Sequence, residues 1–422
     1  MRKKRVLLIL GEFNTGGGER MVYELAQNID PNEYEIQIIC TGNASNTLLE
    51  KEVCNRFDVV FGNVNHLRVR TLVKIFTLID RFKPDIIHAH LGGVLFAVPY
   101  AIIHPKSKLL ITAHTRPDKA FDKKVERPIR WLAKHRENNM RIVAVSKKNA
   151  EDMAIWLNSN HMCAYVNNGI DVTKFANTIK HNQFTYINVA SQNENKNQMA
   201  ILLAFKKLKN ECPNIKLILV GDGPKHRELV EFCNENGLSE DVEFTGVVND
   251  VYNYTAQADV FVQASFREAM PLSIIEAMAS GLGIVATDVG GLRDVVDDNA
   301  ILISPGNVEE LYQAMKRFCD LRSDELDYYK KRSVELSAGF SSSEMAKEYM
   351  MNPELFHLYE VDEYIDLVID YVERLRPDII LERFVSQSPK ELLIAPDWGL
   401  KNYEFTERVK KRMQERGAYQ GK

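Results

Sequence analysis

Two α/β domains in tandem, each a doubly wound parallel sheet, are predicted for residues 1–340, and a tail of different character follows. Three observations carry this expectation. Apolar strand-like runs alternate with amphipathic helices as far as residue 170. The alternation pauses over a polar, unpatterned stretch at 171–184 and then restarts. Finally, 422 residues are too many for one ordinary core.

In the first domain the strand-like runs are 5–10, 34–40, 58–61, 85–89, 108–112, 141–145 and 162–166, with helical stretches such as 18–28, 71–82 and 147–157 between them. Runs that are apolar throughout need cover on both faces, which crossover helices of a parallel sheet supply. The second set of strands is 185–190, 216–220, 242–245, 259–263, 283–287 and 300–303, with helices near 196–210, 224–235 and 271–280. The domain boundaries that follow are 1–170, a linker at 171–184, 185–340, a closing helix at 341–351, and the tail at 352–422. In the tail, Val361, Ile365, Val368, Val372 and Leu375 form a helical stripe ended by Pro377. Segments 379–385 and 391–395 read as strands and 403–416 as a charged helix, an α+β ending.

Apolar content of 45% and charged content of 27% are those of a soluble globular protein. The net charge of −4 gives no electrostatic case for nucleic acid. No apolar run reaches the roughly 18 residues of a membrane span. The opening, Met1 to Leu10, is read as a first strand, because its apolar stretch is too short for a secretory signal. Six cysteines are scattered without a Cys-x-x-Cys pair, so reduced core thiols and a cytoplasmic address are expected.

Two acids are the best clue to chemistry. Glu268 follows a buried strand, and Glu276 lies on the next helix, which Pro271 is expected to open at its first position. Open α/β sheets bind ligands at the carboxyl ends of their strands. The backbone N–H groups of Leu272 and Ser273 would then face an anion, while the two carboxylates accept hydroxyls. Lys196 is expected to open a helix with its ammonium in the cleft, available to phosphate. Gly16, Gly17 and Gly18 follow the first strand, and glycines let backbone N–H groups approach an anion; a plain tight turn is the alternative. His90 and His114 end two strands on the first domain's side of the cleft, where contact with substrate or a structural hydrogen bond are the two readings. No His-x-x-x-His or His/Cys cluster speaks for a metal. From Lys119 to Arg141, eight Lys/Arg face three acids, with Ile129, Trp131 and Leu132 among them. Such a helix can lie on an anionic membrane, or be a solvated face.

These stretches resemble the GT-B glycosyltransferases of family 4, over residues 4–350. The carrying segments are 16–20, 85–90, 144–146, Asn168-Gly-Ile-Asp171, Val220-Gly-Asp-Gly-Pro224, 242–247 and above all 268–291. The resemblance implies a retaining transfer from a nucleotide-sugar, used as co-substrate with no separate cofactor and no metal. It places acceptor recognition on the first domain and donor recognition on the second. Glu276 would bind the ribose, Glu268 the transferred sugar, and Lys196 the diphosphate. Gly17, Gly18, Ser191, Val247 and the turn Met270, Pro271, Leu272, Ser273 would complete the donor side. His114, His90 and Gly16 would meet the sugar or acceptor, with His114, Glu268 and Lys196 the catalytic set. A glycan or lipid-linked acceptor and bacterial surface polysaccharide assembly also follow from the resemblance, while peripheral contact with the inner membrane is expected through the segment from Lys119 to Arg141. A GT-B nucleotide-sugar epimerase and a non-catalytic binding protein are the alternatives.

Three positions depart from the family pattern. Ser191 stands where an arginine is common, five residues before Lys196; Ala269 replaces a glycine; Gly283 replaces a proline. The tail resembles the C-terminal end of a bacterial radical-SAM family, carried by 382–398 and 416–422. The three closely spaced cysteines of such enzymes are absent, so the tail is read as a fusion joined near Met350 and Met351, without radical chemistry of its own.

Overall fold

The computed structural model describes residues 2–14, 16–105, 107–135, 139–158, 163–176, 179, 181–351, 361–376 and 402–421. The first sheet contains β1 (Lys4–Leu10), β2 (Tyr34–Cys40), β3 (Val59–Phe61), β4 (Ile86–His90), β5 (Lys108–Ala113), β6 (Met140–Ala144) and β7 (Cys163–Tyr165). Their order is β3-β2-β1-β4-β5-β6-β7, every neighbour parallel. The second contains β8 (Phe184–Val189), β9 (Ile215–Val220), β10 (Val242–Gly246), β11 (Val260–Gln263), β12 (Gly283–Thr287) and β13 (Ala300–Ile303). It runs β10-β9-β8-β11-β12-β13, also parallel. Each strand falls within a residue or two of its expected position.

The helices of the first half are α1 (Gly17–Asn28), α2 (Leu48–Cys54), α3 (Val69–Phe82), α4 (Val94–Ile103), α5 (Pro117–Ala120), α6 (Lys123–His135) and α7 (Lys147–Leu157). The second domain carries α8 (Gln198–Lys209), α9 (His226–Glu235), α10 (Val251–Thr255), α11 (Leu272–Ala279), α12 (Val308–Cys319) and α13 (Ser323–Ser337). They cover both faces of each sheet, which is why the strands are apolar without alternation. Along β1, Leu7 and Ile9 enter one core while Val6, Leu8 and Leu10 enter the other. In β11, Val260 and Val262 go one way and Phe261 the other.

The closing helix α14 (Ser342–Met351) returns to the first domain. Ile170 and Ser342 exchange backbone bonds with the crossing chain (Ile170 N to Phe340 O, 3.0 Å; Ser342 N to Ile170 O, 2.7 Å). Met345, Ala346 and Tyr349 are buried in the core under β1. In the tail, α15 (Val361–Arg374) and α16 (Asn402–Arg416) pair around Ile365, Ile369, Phe405 and Val409. The expected strands at 379–385 and 391–395 lie outside the described residues. Among the described residues no helix is long and apolar enough to cross a membrane.

Candidate active site

In both sheets the strand order reverses once, between β1 and β4 and between β8 and β11. Such a switch opens a crevice at the strands' carboxyl ends. The glycine turn before α1 and His90 flank the first crevice; the loop holding Ser191 and Lys196, and the segment holding Glu268, flank the second.

Lys196 Nζ lies 2.6 Å from Glu268 Oε1, with both side chains largely shielded from solvent. The pairing is built by backbone. Phe266 N donates to Asn195 O at 2.8 Å, and Asn195 Nδ2 donates to Arg267 O at 2.9 Å, which straps the two loops together. Lys196 sits in a turn before the helix instead of opening it, because Asn197 takes a left-handed φ of 51° at the cap. Ser191 is exposed at the end of β8, and its Oγ accepts from Asn193 Nδ2 at 2.8 Å.

Pro271 caps α11 and does not occupy its first turn; its φ of −74° and ψ of 123° are extended. The cap shifts by one residue because Pro271's carbonyl accepts from Ile274 N at 3.3 Å. Leu272 and Ser273 therefore hold the helix's first two positions, where N–H groups lack intrahelical acceptors. Met270 is buried, and its carbonyl accepts from Asn168 Nδ2 of the first domain at 3.0 Å. Gly290, at φ 63°, lies so close to the Glu268 carbonyl that any side chain would collide, so this loop clamps the acid's backbone.

Glu276 is half-buried and has Arg20 and Glu24 of α1 as its charged neighbours, so it faces the first domain. Burial pushes its carboxyl up to about 7, against the pull of Arg20. Arg20 is itself held by Glu24 at 2.8 Å and Glu52 at 3.6 Å. A Cβ at Gly17 would touch Leu272 Cδ1 at 3.6 Å, so the glycine turn meets the tip of α11 across the gap. Gly16 is the cap of α1. Val247 is 60% exposed just beyond β10, at the sheet's far edge.

On the first domain's side, His114 is half-buried and His90 wholly buried beneath it, with His90 Nδ1 3.1 Å from His114 Nε2. His88 packs against His90 with centroids 4.0 Å apart and the rings tilted by 41°, and its Nε2 meets Thr112 Oγ1 at 2.7 Å. Thr112 Oγ1 meets Tyr349 OH at 3.1 Å, so α14 reaches the histidines. Burial holds His88 down to about 3 and His114 to about 4, and His90 well below the ordinary value, so all three are neutral at pH 7. Beside them opens a hollow of about 330 Å³, lined by Glu12, Asn14, Glu19, Asn65, His66 and Phe96 among others.

Sequence reasoning missed Asn195, Arg20, Thr112 and Tyr349, whose roles depend on neighbours brought from elsewhere in the chain. In the basic segment, Ile129 and Leu132 are buried in the domain's own core and offer no membrane contact, a correction to the expected apolar face. The helix had to spend that face on its own sheet. Lys123, Lys124, Arg127, Arg130 and Lys134 are exposed, as is Trp131.

Two facing Rossmann-like sheets with this cleft are the GT-B architecture. Residues 15–174 match the family model described as Glycosyltransferase Family 4, and residues 170–333 match Glycosyl transferases group 1. Residues 340–415 match the Radical_SAM C-terminal domain. The putative glycosyltransferase EpsD of Bacillus subtilis is 29% identical over 39% of this chain and 47% of its own. An Escherichia coli enzyme named UDP-Gal:alpha-D-GlcNAc-diphosphoundecaprenol alpha-1,3-galactosyltransferase is 25% identical over 69% of this chain and 81% of its own. The chain thus spans under half of the first relative and about four fifths of the second. A crystal structure of Anabaena HepE in complex with UDP and glucose superposes with a TM-score of 0.70 at 18% identity, covering 81% of this chain and 97% of that one. The chain belongs with the GT-B glycosyltransferases of the family 4 kind, enzymes that transfer glycosyl groups.

Proposed function

We propose that this enzyme moves a sugar, with retention, from a nucleotide-sugar to a glycan or lipid-linked acceptor in bacterial surface polysaccharide assembly. The observation that carries the reading is the Lys196–Glu268 pair set against the tip of α11, with Glu276 on the same helix. A diphosphate arriving at that tip takes over Lys196 and releases Glu268 to the transferred sugar's hydroxyls. Glu276 accepts from the ribose. Leaving-group charge falls on Lys196 and on the helix N–H groups, with no metal or cofactor called upon. The acceptor enters by the hollow beside Glu12 and His66, and a donor phosphate oxygen takes its proton in a front-face attack.

UDP-sugars are the first donors to test, since HepE's structure holds UDP and the E. coli relative's name specifies UDP-Gal. The exposed basic side chains of α6 support peripheral contact with the cytoplasmic face of an anionic membrane. The test is release of UDP from a panel of UDP-sugars, with and without diphosphoundecaprenol-linked glycan acceptors. Release that requires an acceptor supports transfer. Isomerised or hydrolysed donor in the absence of acceptor would favour the epimerase, and binding measured by calorimetry without any turnover would overturn the reaction proposed.

A further inference from the structure

We infer that His90 is a positioning residue which sets the tautomer of His114, so that His114 presents an Nδ1–H donor to the cleft. His90 and His114 share one hydrogen bond, from Nδ1 to Nε2 at 3.1 Å, and between two neutral rings only one can donate. His90 is fully buried, and its Nε2 has no partner among the described residues. If His114 donated, His90 would carry its proton on that Nε2, leaving an N–H buried without an acceptor. A buried N–H left unpaired is the rarer situation. His90 therefore donates from Nδ1, and Nε2 is left as a bare lone pair.

The consequence passes to His114. Its Nε2 accepts, so its own proton resides on Nδ1. That nitrogen points to the first turn of α1, where a Cβ on Gly18 would lie 3.3 Å away. Next in that turn is Gly17, which meets Leu272 of the donor-side helix. His114 thus offers a hydrogen-bond donor, and no base, at the junction of the two domains. It suits an oxygen acceptor on the sugar being transferred. His90 is in turn packed against the tilted ring of His88, which Thr112 anchors. The part concerning sugar rests on the function proposed above; the tautomer does not.

The experiment is long-range ¹⁵N–¹H correlation on full-length protein labelled with ¹⁵N-histidine, the His114 signals being identified by their loss in His114→Gln. The expected result is a protonated Nδ1 and a bare Nε2 on His114 near pH 7. A protonated Nε2 in the native chain overturns the inference, whether or not transfer is ever detected. His90→Asn, whose amide nitrogen stands in for Nδ1, should keep the native tautomer. His90→Leu should move the proton to Nε2 in a sizeable fraction of molecules and lower kcat about tenfold with KM unchanged, the effect of one lost hydrogen bond. Loss of the native tautomer in His90→Asn, or its retention in a folded His90→Leu, would also overturn it.

Discussion

Glu276 has two opposed demands on it. In the proposed function its carboxylate accepts from a ribose hydroxyl, yet burial beside α1 lifts it to about 7. An unfolded glutamate titrates near 4.3. The fold therefore penalises the ionised form, so stability is lost as pH rises through that window and the full cost is present above about 7. Because the side chain is only half-buried, the cost is about 2 kcal/mol and not the larger figure the whole shift implies. Glu276→Gln should then unfold at higher temperature than the native chain near pH 8 and at the same temperature near pH 4, while donor affinity falls. A lower melting temperature near pH 8 would mean that Arg20 compensates the charge in full. The acid pair was legible from sequence because its meaning is local: a carboxylate after a buried strand, another along the next helix. The His90–His114 bond was not, because it joins neighbours on β4 and after β5, and strand order is not written in residue spacing.

Helix α11 and the loop before α8 act as one device. Neither element holds the Lys196–Glu268 contact alone; the Asn195 strap brings them into register. Sequence placed both at strand ends but put Lys196 on the helix and Pro271 inside one. Both shifts come from backbone details at the caps, Asn197's left-handed turn and Pro271's extended ψ. For α6, its basic charge was legible but its packing was not: Ile129 and Leu132 go into the domain's own core, and the charged side chains and Trp131 are left exposed. If that face meets anionic lipid, the joint change of Lys123, Lys124 and Arg127 to Gln should weaken binding to phosphatidylglycerol vesicles by well over tenfold. The scale is about 1 kcal/mol per cation. Equal flotation of variant and native protein would remove the membrane from the account.

The two domains meet at the crossing chain at Ile170 and Ser342, at the Asn168–Met270 bonds and at the Gly17–Leu272 approach, among other contacts. Because α14 fills the core under β1 and Tyr349 reaches Thr112, the chain's end of the enzyme lies after this helix, not before it. Truncation after Met351 should leave donor binding and melting temperature as they are. Truncation after Gly339 should strip Tyr349 from the first domain and lower its melting temperature by several degrees, given buried side chains worth about 2–3 kcal/mol each. The same fall in both shortened chains would make the tail part of the enzyme's fold. The proposed function rests on one arrangement, a helix tip, a lysine and two acids closing on a nucleotide-sugar between two sheets. Calorimetric titration of UDP-sugars into native and Glu276→Ala protein tests it most directly. The account predicts measurable binding to the native chain and a loss of about ten- to a hundredfold in the variant, the worth of one charge-assisted hydrogen bond; equal affinity in both would contradict it.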